Sequence, residues 1–399
     1  MEPADFNLRH LRALAATLRL DGLGAAAKAI GISQPAVTQA IARLEELTGT
    51  RLLDRGGAGV AATDAGVLLS ARGEAAASVL AEALGPQRRG GIGARAGADT
   101  ELSMAQVSAL LALADSGSYA AGAASLGIAQ PSLHRSVGTL EELCRVALTA
   151  RRGRGTVLTA AGERLAAGFR LALAELQAAL DELAVLGGRD QGAVRVGADA
   201  AALARLIPGA VTRFLAEHPP VRIQVQTARS EEDAGRLRDG RLDVLVTITS
   251  PAVNGSGLIT EPLINDPLVI AGRTGHPLSG SAAPGLVRLA GFGWALPECG
   301  SAERDAWERL FLDGGLYPPA PNVICPSAPA LLELVATSDL LTVAPQALIE
   351  RSDKLVAIGQ QLPTERSLVL VTRSGWAPTP AQATFLDEIR AGAREVLAF

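Results

Sequence analysis

At 399 residues, 48% of them hydrophobic and 20% charged, the chain is too apolar for a disordered polymer and suits about two to four domains of roughly 100–200 residues each. The net charge is −4, and residues 1–190 hold 19 basic and 19 acidic groups, so a global positive field is excluded and any nucleic-acid contact must use local basic surface. Aromatic residues are 3%, which makes the cores aliphatic. Cys144, Cys299 and Cys325 form an odd, widely spaced set. With the acidic, polar start "MEPADFNLRH" and no apolar run near the ~18 residues of a membrane span, they point to a protein of the reducing cytoplasm.

In chain order, Leu8, Leu11, Leu14 and Leu18 recur at helical spacing, and Gly22 breaks that helix. A short helix over about residues 25–29 leads through "GIS" to "QPAVTQAIARLEEL". There Ser33 is expected to cap a helix, and Pro35 suits its first turn, where a missing N–H costs nothing. Val37, Ile41 and Leu44 share the inner face, leaving Gln34, Thr38 and Gln39 outward near the N-terminus. "RGGAGVAAT" reads as a glycine-rich hairpin, after which Thr63 caps a helix to about Leu84.

The same plan returns 96 residues later. That offset carries Gly31-Ile32 onto Gly127-Ile128, Gln34-Pro35 onto Gln130-Pro131, Leu44-Glu45-Glu46-Leu47 onto Leu140-Glu141-Glu142-Leu143, and Thr63 onto Thr159, without a gap. An ungapped series of this length marks a duplicated unit. Between the copies, residues 85–100 hold five glycines and a proline and read as a linker. The second unit ends in a long apolar helix over 159–186. From "GGRDQG" onward the texture changes. "AVRVGAD", "VRIQVQTA", "LDVLVTI", "PLVIAG" and "SLVLVTR" are strand-like runs separated by helical stretches, which predicts a mostly parallel sheet covered by helices.

These stretches resemble the LysR-type transcriptional regulators. "ISQPAVTQAIARLEELTGTRLLDR" followed by "TDAGVLL" is similar to that family's winged helix-turn-helix and linker helix. "LIPGAVTRFLAEHPPVRIQV", "LRDGRLDVLV", "PLVIAGRTGHPL" and "LLELVATSDLLTVAP" are similar to its effector domain. "LPECGS" and "LYPPAP" resemble the subgroup of galactose-binding-protein regulators. The resemblance covers nearly the whole chain and implies two α-rich winged helix-turn-helix domains plus a two-lobed α/β effector domain similar to periplasmic binding proteins. The expected domains are 1–85, a linker 86–101, 102–187 and 188–399. The last would divide into one lobe of 192–262 with 346–399 and a second of 263–345. The chain departs from the family in its doubling. Within the second unit, Arg145 replaces the turn glycine Gly49, and Ala129 replaces the cap Ser33, a loss worth about 1 kcal/mol.

The resemblance places Ser33, Gln34, Pro35, Thr38, Gln39 and Arg55 of unit one at DNA, and Gln130, Pro131, His134, Arg135, Arg151, Arg152 and Arg154 of unit two. Gln reads adenine and Arg reads guanine, so the two units are expected to prefer different half-sites. The helix 159–186 is the expected dimerisation helix, and helix 63–84 is expected to pack against its own repeat, as a pseudo-dimer inside one chain. Effector contacts are expected from Asp199, Ala201, Ser230, Thr247, Glu298, Cys299, Ser301 and Ser327. The acidic pair Asp199 and Glu298 favours a neutral sugar or polyol over an aromatic acid, within an effector class of sugar, polyol or organic acid. The implied partners are double-stranded DNA, a small-molecule effector, RNA polymerase and further copies of the chain; no membrane, cofactor or metal is implied. Catalysis lacks a basis: His10, His134, His218 and His276 are scattered, and no nucleophile elbow, phosphate loop or metal cluster is present in the sequence. A redox pair of Cys299 and Cys325 has no flanking basic cluster to lower a thiol pKa, so inert buried thiols are expected.

Overall fold

A computed structural model describes residues 1–397 apart from 57–58, 86–97, 153–154, 190, 229, 256, 281–283 and 364–365. The first unit comprises helices Leu8–Arg19, Leu23–Ile30 and Gln34–Thr48, the hairpin β1 (Leu53–Gly56) and β2 (Gly59–Ala62), and a long helix, Asp64–Leu84. The second unit repeats that order. Its helices are Met104–Ser116, Tyr119–Ser125 and Gln130–Cys144, its hairpin is β3 (Thr149–Arg152) and β4 (Gly155–Leu158), and its long helix is Ala160–Leu186. The second helix of unit one begins at Leu23, ahead of the expected position, because Gly22 sits outside the helix as its N-cap.

The local devices repeat with the sequence. Glu45 reaches forward to accept from the backbone N–H groups of Leu52 and Leu53 at 2.9 and 3.3 Å. Glu141 does the same for Leu148 and Thr149 at 2.7 and 3.0 Å. Each carboxylate thereby fixes where the third helix hands over to the hairpin. Thr63 and Thr159 cap the long helices by accepting from Gly66 and Gly162, while their hydroxyls donate to the carbonyls of Arg51 and Ala147 at 2.8 Å. Gly66 and Gly162 lie so close to the hairpin entry that a Cβ would stand 2.1 and 2.2 Å from the carbonyl oxygens of Leu52 and Leu148.

The two long helices pack against each other in antiparallel sense within the chain. Arg72 on the first meets Glu175 at 2.8 Å and Glu182 at 2.5 Å on the second, while Gly168 on the second abuts Ala83 near the end of the first. Leu69, Ala76, Leu80 and Leu84 merge with Leu165, Phe169, Ala172, Leu176 and Leu183 into a single core. Phe6, at 1% exposure, joins that core beside the second unit. Burying one apolar stripe against the other is what stabilises two helices that neither unit could cover alone.

Beyond them stand two lobes. The first lobe is built on β5 (Ala193–Ala198), β6 (Arg222–Thr227), β7 (Val244–Ile248) and β8 (Leu258–Asn265). The second holds β9 (Leu268–Arg273), β10 (Ala295–Leu296), β11 (Val323–Ile324), β12 (Thr342–Pro345) and β13 (Leu355–Gln361). The chain then returns to the first lobe as β14 (Ser367–Arg373). Strand orders are β6-β5-β7-β14-β8 and β12-β9-β13. The parallel pair β10-β11 joins the second lobe through a bridge from Trp294 to Leu341.

Two expectations are corrected. The sheets are mixed rather than mostly parallel: β5, β6 and β7 run parallel, but β14 re-enters antiparallel to both β7 and β8 because it returns from the other lobe. The second lobe also extends to 361 rather than 345, since β13 pairs with β9. The chain therefore crosses between the lobes after Asn265 and again after Gln361. Buried Arg366 and Asp266 join the two crossings, by an ion pair of 2.7 Å and a bond from the Asp266 N–H to the Arg366 carbonyl at 3.0 Å. The final helix, Pro380–Leu397, packs Phe385 and Ile389 into the first lobe.

Candidate nucleic-acid interface and ligand cleft

Each third helix presents an exposed N-terminal turn. In unit one the Ser33 hydroxyl accepts from the Ala36 N–H at 3.4 Å, as the capping pattern predicts. Gln34, Pro35 and Gln39 are exposed. Thr38 is half-buried, with its hydroxyl donating to the Gln34 carbonyl at 3.2 Å, so its methyl is the group left to offer. In unit two Ala129 takes the extended cap conformation with no side-chain bond, and Gln130 and Pro131 follow, exposed. His134 and Arg135 are exposed one turn on. The His134 ring stacks on Tyr119 at 4.7 Å, and Arg135 donates to Ser132 at 3.3 Å. Tyr119 was not singled out in the sequence; only the fold brings the two helices together. Arg145 adopts φ +54°, the left-handed conformation that Gly49 adopts at +67° in unit one. A side chain there costs on the order of 1–2 kcal/mol.

The hairpin of unit two carries further exposed cations. Arg151 and Arg152 lie exposed on β3. Arg55 lies on β1 with its side chain outside the described set, and Arg154 falls outside the described residues.

A cavity of about 910 Å³ lies between the lobes. Asp199 lines it, caps the helix Ala200–Arg205 and also accepts from the Ile248 N–H, each at 2.9 Å. Burial pushes the Asp199 carboxyl above its usual range, against the opposing pull of the N–H groups it accepts. Ala201, Thr247 and Ser301 line the cavity as expected, and Ser301 caps the helix Ala302–Asp313. Ser327 caps the helix Ala328–Ala336 from just outside the wall, between lining residues Pro326 and Ala328. Ser230 opens the helix Ser230–Arg238, with its side chain outside the described set.

Glu298 and Cys299 depart from expectation. Both are exposed on the loop before Ser301 and neither lines the cavity, because the wall is made by Pro297 and then Gly300. Cys325 lines the cavity half-buried, so neither it nor Cys299 is the buried thiol expected; Cys144 alone of the three is buried. The sequence reading missed Glu303, Asp305, Arg309 and Arg366, which supply the charge of the wall. Ser250 also lines it, with a buried hydroxyl that has no hydrogen-bond partner among the described residues.

A duplicated helix-turn-helix arrangement with exposed third-helix starts, followed by a two-lobed domain around a cavity, points to a DNA-binding regulator governed by a small molecule. Comparison with known proteins gives the class a family. The family description "LysR substrate binding domain" matches residues 187–394, and "Bacterial regulatory helix-turn-helix protein, lysR family" matches twice, at 8–67 and 104–163. The HTH-type transcriptional regulator GalR of Pseudomonas putida is 31% identical over 394 residues, covering 97% of this chain and 98% of that protein. The regulator GbpR of Azospirillum brasilense is 31% identical over 229 residues, 57% of this chain and 67% of that one. Among solved structures, ArgP from Mycobacterium tuberculosis matches with a TM-score of 0.56 at 18% identity, covering 72% of this chain and 96% of that one. A full-length OxyR variant from Pseudomonas aeruginosa matches at 0.55 and 17%, covering 73% and 95%. The chain belongs to the LysR family of bacterial transcriptional regulators, with a helix-turn-helix DNA-binding region and an effector-binding domain. Among the described residues no helix is long and apolar enough to cross a membrane.

Proposed function

We propose that both N-terminal units are winged helix-turn-helix domains that read DNA, and that they read half-sites of different sequence. The observation that carries this is the pair of helices Gln34–Thr48 and Gln130–Cys144, equivalent in fold and unlike in exposed side chains. Gln34, Gln39 and the Thr38 methyl suit an A·T-containing half-site, through paired hydrogen bonds to adenine and contact with the thymine methyl. Arg135 suits guanine O6 and N7. Arg151 and Arg152 suit phosphate or a narrow minor groove. The test is to place unit two's side chains on unit one, as Thr38→His with Gln39→Arg, and select preferred sites from random duplexes. The first half-site should move toward guanine. An unchanged preference would refute the assignment. Arg135→Ala should cost about 1–3 kcal/mol at one base position, whereas Arg151→Ala should reduce the salt slope by about 0.9 without altering sequence preference.

The cleft reading is a small, acceptor-rich effector, of the sugar, polyol or organic acid class. The capped starts of Ala302–Asp313 and Ala328–Ala336 lie at the wall, and helix N-termini favour such groups. A thermal-shift screen separates the classes. Stabilisation by hydroxyl-rich ligands alone would agree with Asp199, Glu303 and Asp305 in the wall. Stabilisation by carboxylates alone would assign the leading role to Arg309 and Arg366. Acting on DNA, the protein would work in the cytoplasm.

A further inference from the structure

The two long helices are not copies of each other where they touch. Mapped by the 96-residue offset, Arg72 corresponds to Gly168, and Glu175 corresponds to Val79. Arg72 contacts Glu175, and a Cβ on Gly168 would lie 4.0 Å from the Val79 carbonyl oxygen and 2.5 Å from the Ala83 Cβ. These two contacts are the same contact exchanged between the units, which is the signature of a pseudo-two-fold axis inside one chain. The apolar core obeys that symmetry: Leu69, Ala76 and Leu80 correspond to Leu165, Ala172 and Leu176, all buried.

The charged and tight positions break it in a complementary way. A first helix paired with another first helix would set Arg72, 8% exposed here, against Val79, leaving only Glu82, the counterpart of Ala178, within a turn in place of the two carboxylates Glu175 and Glu182. A second helix paired with another second helix would set Glu175 against Gly168 with no cation. Only the mixed pair neutralises Arg72, Glu175 and Glu182, and only Gly168 admits the close approach of Ala83. Burying an unpaired charge costs far more than a surface pair returns, so the mismatch discriminates against like pairs.

We propose that the long helices form an exclusive intrachain pair, so that one chain is the complete DNA-reading unit and fills both halves of one operator with two unlike recognition helices. The inference rests on reading both units as DNA-binding. Its partner is a duplex whose two half-sites differ in sequence and lie in a fixed order.

Exchange of the charges in cis and in trans tests it on the full-length protein. Arg72→Glu in one chain and Glu175→Arg with Glu182→Arg in another should each lower the thermal midpoint and weaken operator binding, by about tenfold or more. All three changes in one chain should restore most of both properties, short of the bond that Arg72 donates to the Ala377 carbonyl at 3.0 Å, and an equimolar mixture of the two defective chains should restore neither. Recovery in the mixture would overturn the proposal, because it requires pairing between chains. Titrating wild type against a duplex carrying one site should saturate at one chain per duplex, whatever larger assembly the chain enters. Saturation at two chains per duplex would overturn the proposal even if the triple variant fails to fold. Failure of wild type to bind any fragment of its upstream region would instead overturn the DNA reading beneath it.

Discussion

Replacing Gly66 or Gly162 by alanine sets two physical effects against each other. Both glycines lie in the first turn of a long helix, where alanine is favoured over glycine by about 1 kcal/mol. The added Cβ, however, would stand 2.1 or 2.2 Å from a backbone carbonyl oxygen, where ordinary C···O contacts begin at about 3.3 Å. Those oxygens cannot simply withdraw. Leu52 accepts from the Thr63 N–H at 3.1 Å and Leu148 from the Thr159 N–H at 2.9 Å, so retreat also breaks the bond that sets the hairpin against the helix. Overpacking of this kind costs about 1–3 kcal/mol, and a lost backbone bond about 1 more. The net expectation is about 1–3 kcal/mol of destabilisation per site, read as a lower midpoint of the N-terminal transition in calorimetry, with weaker DNA binding as the hairpin shifts. Gly138, in helix Gln130–Cys144 with open space where a Cβ would go, is the control: Gly138→Ala should stabilise by about 0.5–1 kcal/mol. A raised midpoint for Gly66→Ala or Gly162→Ala would refute the steric argument, and a lowered one for Gly138→Ala would refute the propensity argument.

Other consequences follow from the same geometry. Glu141→Ala removes the acceptor for two backbone N–H groups and the Thr149 hydroxyl and should cost about 1.5–3 kcal/mol, measured by urea unfolding. Asp266→Ala leaves buried Arg366 with Glu303, at 3.5 Å, in place of its 2.7 Å partner and should cost about 2–3 kcal/mol in the C-terminal transition. Burial and Glu141 push the Cys144 thiol up to about 11, from 9.0. Native protein at pH 8 should therefore expose Cys299 and Cys325, but not Cys144, to a thiol reagent until it unfolds. Because the folded-state value is raised, the associated stability is present below pH 9 and is lost as pH climbs through about 11, to an extent of roughly 3 kcal/mol. Cys144→Ala should flatten that alkaline limb.

Much of the fold was legible because it was written twice. The 96-residue repeat located both third helices, both hairpins and both long helices, and hydrophobic alternation found five strands of the two lobes. The missed strands carry weak patterns. β8 contains Pro262 and three other polar or charged side chains among eight residues, tolerable because it is the edge of its sheet and bulges there. β13 opens on the apolar run 355–358 but ends in Gly359-Gln360-Gln361, and setting the lobe boundary at 345 placed it in the wrong lobe. The positions of candidate residues were legible where a helix start carries them, as at the caps Ser33, Asp199 and Ser301. They were not legible where the fold imports them: Arg366 sits in the polar stretch "PTERS", and the stack of Tyr119 on His134 joins separate helices. Glu45 and Glu141 stood out as a repeated "LEEL", but their bonds to the hairpin depend on a turn that spacing alone does not specify.

A salt-controlled footprint on the protein's own upstream region tests the central claim most directly, with wild type, Thr38→Ala/Gln39→Ala and His134→Ala/Arg135→Ala run side by side. Each double variant is predicted to lose a different part of the protected sequence, so that both units of one chain read DNA at unlike half-sites. An unchanged footprint for the second variant, or loss of the same part by both, would contradict the account.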